Sequence, residues 1–307
     1  MPIISTSTGA FFERARQDMK TLRGQAESVQ TQISSGARLA RSSDDPVAAS
    51  QLRSLARSDT LAKVDTRNAQ RATGDLSLAD GTLSDISTAL IRAQELTTQA
   101  ANSTLSQAQL NAIGDELLAI NESLFSLANA RDSAGKALFG GESTGAAYQR
   151  DAAGNAVYVG TATSGDLPLG EGLSVSRSLT GPEVFNFNDA AGNPTDLMTV
   201  VKTLGEALKG AAADPSGAAK AALDTLANGL DAVTTGQTVI GTRLAWIDVV
   251  DDRRVNLSEM RSQEEVDVGS VEIGEAVTRL QQAMVVLEAS QASFSKLSNL
   301  SLFNQLR

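Results

Sequence analysis

FERARQDMKTLRGQAESVQTQI, residues 12–33, sets Phe12, Ala15, Met19, Leu22, Ala26, Val29 and Ile33 at steps of 3, 4, 3, 4, 3 and 4. A stripe of that period runs along one side of an α-helix and packs against another helix. The other end of the chain repeats it. IGEAVTRLQQAMVVLEASQASF, residues 273–294, carries Ile273, Val277, Leu280, Met284, Leu287 and Phe294 on a 4-3 alternation, with one polar break at Gln291. Two long amphipathic helices at opposite ends are built to pair with each other or with neighbouring copies. One such seam buries too little to offset the entropy of ordering its own backbone. Both ends are therefore expected to be flexible in the free chain and to order on assembly.

Between the ends the helical period continues. The first helix is expected over 6–40, with Gly36 near its end. In SSDDPVAAS, residues 42–50, an Asp cap and Pro46 in the first turn mark a second start. That helix runs to about residue 101, and Ala69, Ala72, Leu76, Ala79, Leu83, Ile86, Leu90 and Ala93 form its seam. After a short break at 102–104, Leu110, Ile113, Leu117, Ile120, Leu124 and Leu127 give a third helix, hairpinned back on the second. Past Gly140-Gly141 the period changes to two. Leu173, Val175, Arg177 and Leu179 alternate with serines, and residues 148–150 and 157–159 flank a turn containing Gly154. This stretch is expected to be a small antiparallel β-domain of four or five strands. Its replacement by a short linker is expected to leave the helices folded. Cap-plus-Pro pairs at Asn193-Pro194 and Asp214-Pro215 return the chain to helix. Leu223, Leu226, Leu230, Val233, Ile240, Leu244 and Ile247 form a fourth seam, with a stagger or turn expected near 250–252. A last helix is expected over about 268–300.

The expected fold is mainly α: a long antiparallel helical bundle or coiled coil formed by the N- and C-terminal parts, carrying an inserted antiparallel β-domain. Its divisions are terminal coiled-coil segments 1–40 and 268–307, a helical core of 41–140 and 193–267, and the insert 141–192.

The formal charge of the 307 residues is −10, the wrong sign for a generic nucleic-acid binder. Residues 1–71 hold 11 Lys/Arg against 7 Asp/Glu, and residues 251–307 hold 6 against 9, a bias that reads first as solvated helix faces and second as a weak preference for the two ends to lie together. The chain has no Cys and no His, so disulfides, Cys/His metal sites and a His base are excluded. No stretch approaches a membrane span, and the first twenty residues lack the form of a cleaved secretory signal. The acidic pairs Asp44/Asp45, Asp251/Asp252 and Glu264/Glu265 read as a helix cap and solvated charge, Trp246 as a packing residue, and Tyr148 and Tyr158 as strand packing. No cofactor is expected and no enzyme, since nothing supplies a catalytic pair.

Several motifs in order resemble the bacterial flagellin family: QISSGAR at 32–38, SSDDPVAAS at 42–50, QELTTQAAN at 94–102 and IGTRL at 240–244. ALFGG at 137–141, YVG at 158–160, GPEVF at 181–185 and LSLFN at 300–304 resemble the hook–filament junction members of that family more than its filament subunits. The resemblance implies a structural protein that forms a ring and joins a hook-side junction protein of the hook-associated protein 1 type to flagellin. It implies export through the flagellar type III apparatus with an export chaperone, no cleaved signal, and an extracellular place on the flagellum. The expected subunit and chaperone interface is Phe12, Met19, Leu22, Val29, Ile33, Ile273, Val277, Leu280, Met284, Leu287, Phe294, Leu302 and Phe303. The alternatives are a short flagellin or a surface protein that binds carbohydrate through the insert.

Overall fold

The computed structural model describes residues 4–305, with side chains from 9 to 297. The described residues fold into α1 (Ile4–Ser35), α2 (Pro46–Ala100), α3 (Gln107–Ala128), β1 (Tyr148–Arg150), β2 (Ala156–Tyr158), β3 (Asp166–Gly170), β4 (Leu173–Ser176), α4 (Gly181–Phe185), β5 (Asn186–Asn188), β6 (Pro194–Asp196), α5 (Leu197–Glu206), α6 (Pro215–Gly269) and α7 (Ile273–Gln305). The mainly α frame with a small antiparallel β portion is as expected. The chain divides into two compact units, residues 1–60 with 256–307, and residues 61–255.

The larger unit is built on the seam of α2. Ala69, Ala72, Leu76, Ala79, Leu83, Ile86, Leu90 and Ala93 are all buried, none more than 3 % exposed. From α3, Leu110, Leu117 and Leu124 are buried, and from α6, Leu226, Val233, Ile240 and Ile247. The small residues on these helices allow close approach. A Cβ on Gly205 of α5 would lie 2.9 Å from Leu118 Cγ and 3.2 Å from the Gly114 carbonyl of α3. Ser106 starts α3 with a reciprocal capping box to Gln109, which satisfies backbone donors that the first turn leaves free.

The β portion differs from the expected single domain. Its six strands form three separate two-stranded antiparallel hairpins, β1–β2, β3–β4 and β5–β6. Two of them turn on the same pentapeptide, DAAGN, at 151–155 and 189–193. In each, Asp Oδ1 accepts the backbone N–H groups two and four residues on, at 2.9 and 2.8 Å. In each, the glycine has φ near +80°, a conformation that a side chain resists. These bonds hold the Asp151 and Asp189 carboxyls below their ordinary value, with the Asn155 and Asn193 N–H groups the largest cause. Asp132 to Lys136, DSAGK, makes the same turn ahead of the hairpins.

The hairpins have no core of their own. Tyr148, Leu169, Val175, Leu179, Val184 and Phe185 belong to the same buried cluster as the α2, α3 and α6 seams. Phe185 meets Phe139 edge-on at 5.2 Å. The expectation that a linker could replace this stretch is therefore reversed. Tyr148 packs on Tyr158 at 5.3 Å, but its buried hydroxyl has no hydrogen-bond partner among the described residues. Burial pushes that phenol well above its ordinary pKa. Tyr148→Phe removes only this orphaned group, so the thermal midpoint should hold or rise, by about 1 kcal/mol of stability. A clear loss of stability would reveal a partner for the hydroxyl.

Two other expectations change. Pro194 opens β6, paired with Asn188, and not a helix; the outer edge of a two-stranded hairpin tolerates a residue without N–H. The next helix starts at Leu197 under an Asp196 cap, whose Oδ1 accepts Thr199 N–H at 3.0 Å. No stagger interrupts α6 near 250–252. No Gly or Pro lies between Thr242 and Val268, Asp251 pairs with Arg254 one turn on, and Val250 is buried.

Candidate assembly interface

In the smaller unit α1 and α7 pack antiparallel. Phe12 meets Phe294 edge-on at 5.3 Å, and at the far end Ala37 forms an antiparallel bridge with Ser270. Around that bridge, Arg38 N–H donates to Gly269 O at 2.7 Å and Val271 N–H to Gly36 O at 2.9 Å. Arg38 Nε reaches Val268 O at 3.0 Å. The break after α1 and the break before α7 are thus tied together. Gly36, φ +71°, ends α1 so that the link can turn. The quoted SSDDP motif works here as a brace. Asp45 Oδ1 caps α2 through Ala48 N–H at 3.0 Å, and its Oδ2 pairs with Arg38 at 3.2 Å. The Ala48 N–H is the largest cause holding the Asp45 carboxyl below its ordinary value.

The two ends lie together, but the side chains between them are apolar, and the charges on both helices read as solvated faces. Among the described residues the ion pairs on α1 and α7 are Arg23–Glu27 and Arg279–Glu275, each within one helix.

All seven expected stripe positions of α1 face inward and are half-buried, and none is fully buried. The α2 stripe has the same period and is closed completely. On α7 the face turned to α1 is Ala276, Leu280, Ala283, Leu287, Ser290 and Phe294. The C-terminal seam as read from sequence thus divides between this face and a second one. Leu280, Leu287 and Phe294 pack inward, whereas Ile273, Val277 and Met284 are exposed by 59, 37 and 58 %. Two stripes of 3-4 period share Leu280, Leu287 and Phe294. α1 takes the one completed by Ala and Ser, whose small size lets the helices close. The stripe completed by the larger residues stays uncovered, and Val285 and Val286 elsewhere on α7 are exposed as well. Where Ser290 and Ser293 face Ala15 and Met19, the pair leaves a cavity of about 430 Å³. Leu302 and Phe303 lie outside the residues whose side chains are described.

No helix among the described residues is long and apolar enough to cross a membrane, and no group of three or more acidic side chains among them could hold a metal ion. Trp246, read as a packing residue, is 42 % exposed on α6.

Known proteins resemble this chain. The family model for the bacterial flagellin N-terminal helical region matches residues 7–144. Flagellar hook-associated protein 3 of Escherichia coli is 29% identical over 291 residues, covering 89% of this chain and 90% of that protein. Flagellar hook-associated protein 3 of Salmonella typhimurium is 29% identical over 327 residues, covering 97% and 98%. A solved structure described as a flagellar hook-associated protein from Vibrio parahaemolyticus superposes with a TM-score of 0.67 at 21% identity, covering 74% of this chain and all of that one, a likeness of fold. The ordered motifs and these matches agree: residues 7–144 match the bacterial flagellin N-terminal helical region, and the chain is similar to flagellar hook-associated protein 3 along nearly the whole length of both.

Proposed function

We propose that this chain is a structural part of the bacterial flagellum, a hook–filament junction protein that links a hook-side ring to the flagellin filament. One observation carries the reading. α7 has two apolar stripes and uses only one inside the chain, so Ile273, Val277 and Met284 are left for helices of other subunits. The partners are copies of itself in a ring, a junction protein of the hook-associated protein 1 type on one side and flagellin on the other. Both curated relatives carry the name flagellar hook-associated protein 3, which favours a junction role over a filament subunit. The role is mechanical, with no catalytic step.

Before assembly the same stripe, with Leu280, Leu287 and Phe294 on its border, is the surface for an export chaperone. The chain leaves the cell through the type III apparatus and takes its place outside. Phe12, Met19, Leu22, Val29 and Ile33 close fully only when neighbouring helices add a further layer. Limited proteolysis of the purified monomer should therefore cut before about residue 40 and after about residue 270 first. Equal hydrogen-exchange protection of the termini and of Leu117 and Leu226 would contradict that order. The function itself is tested by deleting the gene. The expected cells keep hooks, lack filaments and release flagellin into the medium; filaments of normal number and attachment would overturn the junction role.

A further inference from the structure

Within the unit 61–255, two stretches of helix carry opposite charge on their outer faces. On α2, Val64, Arg67 and Arg71 follow one another at steps of 3 and 4, turned away from the buried Ala69 and Ala72, and Leu61 stands at the border of this ridge one turn earlier. Leu61 is 55 % and Val64 40 % exposed, and Lys63 stands beside them. Among the described residues none of these three cations pairs with a carboxylate; Arg67 Nε only donates back to the Lys63 carbonyl at 3.3 Å. On α6, Asp248, Val249, Asp252 and Val255 form the ridge away from the buried Ile247 and Val250. Val249 and Val255 are 59 and 53 % exposed. The neighbouring arginines are drawn off this ridge, Arg253 to Glu171 at 2.9 Å and Arg254 to Asp251 and the Leu169 carbonyl. Asp248 and Asp252 are left without an ion-pair partner among the described residues.

Both stretches stand at the same level. Asn68 of α2 bonds the Pro168 carbonyl at 2.9 Å and Arg254 of α6 bonds the Leu169 carbonyl at 3.0 Å, adjacent residues of β3. We infer that the basic ridge 61–71 of one copy docks on the acidic ridge 248–255 of the next, side by side at the level of the β3–β4 hairpin. Each ridge has exposed aliphatic groups for the centre and unpaired charges of one sign around them, so the two complement each other and neither complements itself. A contact between two different faces is head-to-tail. Every added copy leaves one ridge of each kind free until the set closes into a ring. This rests on the ring-forming role proposed above and names the faces that would meet.

The absence of Cys makes the test clean. Val64→Cys and Val249→Cys are placed singly and together in the full-length chain, expressed in cells lacking the native copy, and intact flagella are treated with a short bis-maleimide. The double variant should give a ladder of multiples of 31.9 kDa, and each single variant only monomer. Dimers from a single variant would show a self-paired face and overturn the inference. So would a product whose mass is no multiple of the chain, which would put another protein on the ridge. The absence of a ladder in cells that still build filaments containing the chain would overturn it too, while leaving the junction role intact. Absence of the chain from purified flagella would instead sink the role itself. Arg67→Glu with Arg71→Glu should lose filaments, and Asp248→Lys with Asp252→Lys added to them should restore filaments. Equal loss with and without the second pair would count against complementary docking.

Discussion

Replacing residues 146–188 with a short Gly/Ser linker should unfold the whole 61–255 unit. The segment supplies Tyr148, Leu169, Val175, Leu179, Val184 and Phe185 to a core that the helices share, each at most 5 % exposed. At about 1.5–3 kcal/mol for each buried large side chain, their loss matches or exceeds the ~5–15 kcal/mol that holds a typical domain together. The damage is also central. Val184 lies where it would meet a Cβ on Gly236 at 3.3 Å, beside Leu83, and Phe185 covers Phe139. Removing them opens the helical seam at its middle and exposes Leu83 and Phe139, both completely buried. The expected result is loss of the cooperative thermal transition, with far-UV circular dichroism well below that of the intact chain. A deletion variant that keeps a sharp transition would show that α2, α3 and α6 close on one another without the hairpins.

The helices were legible wherever period and burial coincide. On α2 all eight seam residues read from spacing are buried, and Leu96 and Ala100 carry the same stripe on, because small residues alternate with large ones and only one 3-4 stripe exists there. α7 defeated the same reasoning. Its apolar residues cover a wide arc, two stripes fit, and size favours the wrong one for the contact with α1. Ala276, Ala283 and Ser290 carry little hydrophobic signal, yet their smallness is what that contact needs. The hairpins were legible in kind but not in arrangement, since period two does not say which strands share a sheet. A signal for part of it was present in the chain. DAAGN at 151–155 and again at 189–193 marks two equal turns, and the second places Pro194 in a strand. The ties between 36–38 and 268–271, two backbone bonds and one from the Arg38 side chain to the Val268 carbonyl, join residues more than two hundred positions apart, and no local pattern encodes them.

A single charge on the uncovered stripe of α7 should abolish filament attachment without disturbing the free chain. Met284 is 58 % exposed, so in Met284→Asp the new carboxylate stays solvated in the monomer and the α1–α7 pair keeps its contacts. In an assembled ring the same position would be enclosed by partner helices, and an unpaired carboxylate there costs several kcal/mol at every subunit. Leu287→Asp is the contrasting variant. Leu287 faces α1 and is half-buried already, so its charge should loosen the helix pair before any partner arrives. Purified Met284→Asp should then match the unmodified chain in its proteolysis pattern, and Leu287→Asp should be cut faster at both ends. In cells, both variants should leave hooks bare and flagellin in the medium. Motile cells carrying Met284→Asp would show that this face stays wet in the flagellum, and the second stripe would then need another explanation. Equal proteolysis of all three proteins would show that α1 and α7 are not paired in the free chain, which places their association wholly in the assembled state.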